Sequence, residues 1–190
     1  MTGSDKPSLR VEIETPSFLR KQLADFLTLS RGIIGLAILS LSFIGKDAYI
    51  AVVILALIGA ATDIFDGKAA RHYLGENRQG KLGRYDLEVD TLFVLCIIGY
   101  FSFSGIVIPK LVGLGWIGFT LIATTLHKRK PKILLLFEIP SILAIIVVAG
   151  LHNLEIFILI IVPTIAAGVI MNHRRVLYII FRYWPKLFSK

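Results

Sequence analysis

Four aspartates stand out by type and spacing: Asp63 and Asp66, three apart, then Asp86 and Asp90, four apart. On a helix these intervals put both members of a pair on one face. Gly67 follows Asp66 at once, and Arg71 comes one turn later. If the segments carrying the two pairs fold as an antiparallel hairpin, four carboxylates meet at one end. Such a cluster repels itself strongly in a low dielectric, and a hard divalent cation with oxygen ligands is the usual relief. Mg²⁺ or Mn²⁺ is expected, with a phosphorylated substrate completing the coordination. Gly67 lets a ligand approach the backbone, and Arg71 suits bidentate contact with a phosphate. Either pair alone would read as solvated helix-end carboxylates. Two pairs in one hairpin argue for a site.

The elements that must hold these residues are membrane helices. The 190 residues are 55% hydrophobic and only 18% charged, below the quarter usual in soluble domains. Cys96 is the single cysteine, so no disulfide framework forms within the chain. Apolar stretches near 26–45, 48–65, 91–107, 108–126, 133–151 and 154–172 predict an all-α, polytopic membrane protein with six transmembrane helices. Ser104, Gly105, Pro109 and Lys110 mark the turn between the third and fourth.

The net charge of +8 belongs to the membrane boundary rather than to nucleic acid. Lys and Arg number four in the N-terminal flank, five in the second loop, four in the fourth loop and five in the tail. The alternate side holds only Lys46 and Lys110. Both termini and the acidic cluster are therefore expected on the cytoplasmic side of the plasma membrane. The first 19 residues lack the apolar core of a cleavable signal, so the first helix is expected to remain. From Thr15 and Pro16 onward, Phe18, Leu19, Leu23, Phe26 and Leu27 share one face, predicting an N-terminal interfacial amphipathic helix. One domain over 1–190 suffices, with 1–25 cytoplasmic or interfacial and 173–190 a basic cytoplasmic tail.

The run D-I-F-D-G-K-A-A-R from Asp63 to Arg71, followed by D-L-E-V-D from Asp86 to Asp90, resembles the signature of the CDP-alcohol phosphotransferases, D-x2-D-G-x2-A-R-x8-G-x3-D-x3-D. The segment T-L-S-R from Thr28 to Arg31 is similar to the family's first-helix T-x-x-R. Two departures stand out. The interval from Arg71 to Asp86 is two residues longer than the pattern, leaving Gly80 and Gly83 as alternatives for the motif glycine, and Asp25 occupies a position that is often Asn in relatives.

The resemblance implies six helices, a cytoplasmic site, and transfer of a substituted phosphate from a CDP-linked donor to an alcohol, with release of CMP. A phosphatidyl group from CDP-diacylglycerol, in phospholipid biosynthesis, is the expected cargo. It implies that Asp63, Asp66 and Asp86 hold the metal and that Asp90 takes the proton of the attacking hydroxyl while also touching metal. Gly67, Ala70, Arg71 and Asp66 are expected at the nucleotide, with Thr28 and Arg31 nearby. Taken by itself, Arg31 has three readings: a phosphate contact, a carboxylate pair, or a side chain snorkelling to the interface. Glu138 reads as a buried pair or interfacial group, and the basic loop 127–132 as a contact for an acceptor phosphate or anionic lipids. Gly32, Gly113, Gly115 and Gly118 permit close helix packing and a homodimer. The competing readings are an intramembrane Mg²⁺-dependent prenyltransferase, which expects two separated acidic motifs in a longer chain, and a cation transporter, which expects carboxylates near mid-membrane. The acceptor alcohol is not written in any residue.

Overall fold

The computed structural model describes residues 17–73, 85–127 and 131–171, with side chains over 25–62, 85–127 and 132–170. Within them every regular element is helical. Helix α1 runs Ser17–Ser40, followed by two 3₁₀ turns, Leu41–Phe43 and Gly45–Ala48. Next come α2 (Tyr49–Tyr73), α3 (Asp86–Phe103), α4 (Lys110–Leu126) and α5 (Pro131–His152). A single turn, α6 (Leu154–Ile156), passes through a π-helical turn (Phe157–Ile161) into α7 (Val162–Met171). Pro163, just inside α7, has no N–H to give the ladder, which suits a widened turn before it.

Among the described residues, three segments are long and apolar enough to cross a bilayer: Asp25–Phe43, Gly45–Thr62 and Lys132–His152. Lys110–Leu126 and Leu154–Ile170 are apolar but shorter. The expected third crossing lies in α3, which starts five residues before the apolar stretch and so takes Asp86 and Glu88 into its first turn. The stretch expected at the interface forms part of α1 without a break, and its side chains before Asp25 lie outside the described residues.

Helix α3 is the axis of the bundle. From Phe93 to Ser102 every residue is buried, because α1, α4 and α5 all pack on it. A helix apolar on all sides has no preferred wet face and must be surrounded. Contacts along α1 and α3 keep a nearly constant offset: Thr28 meets Asp86, Gly32 meets Val89, Gly35 meets Phe93 and Leu39 meets Gly99. The two helices therefore run parallel. Helix α2 runs against them, since Tyr49 stacks near Phe101 (6.4 Å between rings) while Gly59, further along α2, lies against Phe93, earlier in α3.

Phe93 is the wedge that sets this register. A Cβ at Gly59 would lie 2.4 Å from its Cζ, and one at Gly35 would lie 3.3 Å from its Cα. Both glycines leave room for one aromatic ring between three helices. Gly113 does the same on α4, where a Cβ would fall 1.7 Å from Ser102 Oγ. Gly115 and Gly118 face open space among the described residues, and Gly32 has only Val89 within 4 Å.

The turns at the far end are held from the core. Gly45, at φ 84°, offers its carbonyl to the Tyr100 hydroxyl at 2.9 Å. Between α3 and α4 the expected turn residues do reverse the chain, with Gly105 at φ 70°. Val107 also sits at φ 57°, an uncommon position for a β-branched residue.

Candidate active site

The acidic pair of α3 is built from two helices. Asp86 and Asp90 are one turn apart on α3, and Thr28 and Arg31 are three apart on α1. The parallel packing brings the two faces together. Arg31 is buried, with 1% of its surface exposed, and its guanidinium forks across the pair: Nη2 donates to Asp86 Oδ1 and Nη1 to Asp90 Oδ1. Thr28, also buried, donates from Oγ1 to Asp86 Oδ1 at 3.1 Å. A buried guanidinium is tolerable only when paired and hydrogen-bonded. Of the three readings open to Arg31, the carboxylate pair is the one seen.

The two aspartates differ from ordinary helix-end carboxylates. Tyr85 occupies the position before α3 and makes no side-chain cap, and Asp86 directs its Oδ1 to α1 instead of the helix's own N–H groups. The positive end of the α3 dipole still favours the charge there. Both side chains keep an open side, 36% exposed for Asp86 and 22% for Asp90. Both are therefore anchored to α1 while part of each carboxylate stays accessible.

Beside them lies a cavity of about 250 Å³ between α1, α2, α3 and α5. Among the described residues, Arg31, Asp90 and Glu138 supply its polar lining, and Gly59, Phe93 and Ile142 are among the apolar remainder. Glu138 enters from α5. Its spacing to Ile142 and Ile145 on one helical face is the sequence signal that would have placed it there, and its position as the one acid in an apolar run concealed it. Phe93 and its two glycines gave no chemical signal in the sequence, yet they fix the approach of α1 and α2.

Asp63, Asp66, Gly67, Ala70 and Arg71 lie on the last turns of α2, and their side chains fall outside the described residues. Gly80, Gly83 and residues 128–130 of the basic loop also lie outside them. His127, at the loop's start, is exposed and its Nδ1 sits 2.9 Å from the carbonyl of Ala123. His152 lies at the other end of the bundle against the Tyr49 ring. Among the described residues no group of three or more His, Cys, Asp or Glu side chains gathers.

The sequence pattern of one protein family, CDP-alcohol phosphatidyltransferase, matches residues 21–184. The chain belongs to the CDP-alcohol phosphatidyltransferase family. It is thus a transferase that takes its group from a CDP-alcohol and delivers it to an alcohol acceptor. Its apolar helices are those of a protein integrated in a membrane. A search of curated proteins finds no match, and a search of solved structures finds none either. Membership of the CDP-alcohol phosphatidyltransferase family leaves the prenyltransferase and cation-transporter readings without support.

Proposed function

We propose that the chain transfers a phosphatidyl group from CDP-diacylglycerol to the hydroxyl of an acceptor alcohol and releases CMP. The observation that carries this is the joining of Asp86 and Asp90 by Arg31 and Thr28 into one face beside the cavity.

Helix arithmetic supports the rest. Gly59 and Phe93 are in contact on antiparallel helices. Asp63 and Asp66 lie four and seven residues beyond Gly59, and Asp90 and Asp86 lie three and seven before Phe93. At a rise of about 1.5 Å per residue, each α2 aspartate stands at nearly the same level as one on α3. The i, i+4, i+7 spacing keeps Asp63 and Asp66 on the helical face that carries Gly59.

The donor set suits a hard divalent cation, Mg²⁺ or Mn²⁺. The two described acids are carboxylates, and among the described residues no cysteine or histidine accompanies them. Asp63, Asp66 and Asp86 would hold the ion, with Asp90 at its edge. When bound it neutralises charge on the diphosphate. Arg31 keeps Asp86 and Asp90 facing the same way, so the protein does not reorganise them during reaction. Asp90 accepts the proton of the acceptor hydroxyl as the new O–P bond forms. The P–O bond to CMP breaks, and its electron pair leaves with the nucleotide. Gly67, Ala70 and Arg71 would meet the nucleotide and its phosphates.

The same reading holds six crossings, an interfacial N-terminal segment, cytoplasmic termini in the plasma membrane, a single domain over 1–190, and a homodimer. Phospholipid synthesis is its setting. The test is release of labelled CMP from CDP-diacylglycerol by the reconstituted chain, across a panel of alcohols with and without Mg²⁺. Metal- and acceptor-dependent release is expected. No release with any alcohol would overturn the assignment.

A further inference from the structure

We propose that Trp116 of α4 is a positioning residue: it splints α5 across a break at Pro140 and so holds the α5 wall of the cavity beside Asp90. The inference rests on the reading above and adds to it a side chain that works through another helix. Pro140 stands inside α5 and has no N–H for the carbonyl of Leu136, one turn earlier, so the ladder lacks a bond there. Leu136 and Pro140 are exposed, which puts the gap on the outer face of the bundle. The cavity wall runs across it, with Glu138 before the break and Ile142, Ile145 and Ile146 after it. A helix left to itself bends at such a point, and the two parts of the wall would then move separately.

The opposite face of α5 carries the repair. Ser141 is buried; its Oγ donates to the carbonyl of Phe137 at 2.7 Å and accepts from Trp116 Nε1 at 2.9 Å. The same indole packs T-shaped on Phe137, with ring centroids 5.9 Å apart, and Phe119 of α4 meets Phe137 at 5.4 Å. Trp116 therefore grips α5 on both sides of Pro140, its ring at Phe137 and its N–H at Ser141. In hydrocarbon no water competes for that bond. Asp86 and Asp90 are held from α1 by Arg31 and Thr28 and do not depend on it. Loosening α5 should thus weaken the hold on substrate and spare the reacting groups.

Trp116→Phe and Ser141→Ala cut the hydrogen bond from either side. In the full chain in nanodiscs, with Cys96→Ser, spin labels on cysteines replacing the exposed Lys132 and Leu151 report the two ends of α5. These ends lie about 29 Å apart at a helical rise of about 1.5 Å per residue. Double electron–electron resonance is expected to give a narrow distance distribution in the parent and a broader one in each variant, no broader when the two are combined. Pro140→Ala supplies the missing N–H and should restore the narrow distribution to Trp116→Phe, a rescue that simple loss of packing would not allow. In CMP release, KM for the alcohol of the panel that supports turnover should rise about three- to tenfold in either variant, with kcat within about twofold, and should recover with Pro140→Ala. Unchanged distances in both variants, broadening that Pro140→Ala does not reduce, or a fall in kcat at constant KM would overturn the proposal. No CMP release from the wild-type chain with any alcohol would count against the transferase reading alone, because the distances report the joint without turnover.

Discussion

Arg31 shows how one side chain can serve folding and chemistry together. Its guanidinium is buried at the α1–α3 contact and pairs with two carboxylates that are themselves partly open. Removing it by Arg31→Leu leaves both acids facing an apolar wall. We expect a loss of about 3 kcal/mol, at the low end for breaking a buried pair because Asp86 is still reached by solvent. A fall in the thermal unfolding midpoint checks this, and an unchanged midpoint would mean that the pair contributes nothing net. Asp90→Asn removes the proposed proton acceptor and keeps the shape. Turnover should fall at least about 100-fold, while donor binding persists; equal loss of both would make Asp90 chiefly a ligand. At this scale the sequence was informative, since charges in an apolar chain are costly and draw the eye. The partner of Arg31 was not legible, because pairing depends on which helix lies alongside.

At the scale of elements, the site depends on register. Phe93 fits between Gly35 and Gly59, and this contact sets how far α2 slides along α3. A Cβ at Gly59 would meet the ring at 2.4 Å, and the backbone of Gly35 closes the other side. Gly59→Val should therefore push α2 off α3, costing about 1–3 kcal/mol and reducing metal affinity without touching an acid. Adding Phe93→Ala should restore much of the affinity; absence of rescue would show that the ring does not set the register. The helix boundaries were readable from hydropathy and from Gly105 and Pro109. The start of α3 was readable too, because Asp86 and Asp90 suit a helix N-terminus where the dipole favours acids, although the apolar run begins only after them. Gly59 carried no chemical signal, since its role is to be absent from a space another residue fills.

For the whole molecule, the alternation of directions gathers the start of α3, the last turns of α2, the end of α4 and the start of α5 at one end. Gly45, Pro109 and Asn153 mark the other end. Lys46 and Lys110 lie at the opposite end from Asp86 and Asp90. Cys96 is buried, so a Cys96→Ser background permits single reporter cysteines. Cysteines replacing Lys68 and Lys130 should react with an impermeant maleimide only in inside-out vesicles, and those replacing Lys46 and Lys110 only in right-side-out cells. The reverse pattern would put the site on the outer face. The account's central claim is that α2 and α3 hold one ion between them. Manganese binding to the reconstituted chain, followed by electron paramagnetic resonance, tests this most directly. One Mn²⁺ per chain is predicted, lost by at least about tenfold in affinity when either Asp66 of α2 or Asp86 of α3 is replaced by Ala. Full binding in either variant would contradict a shared site.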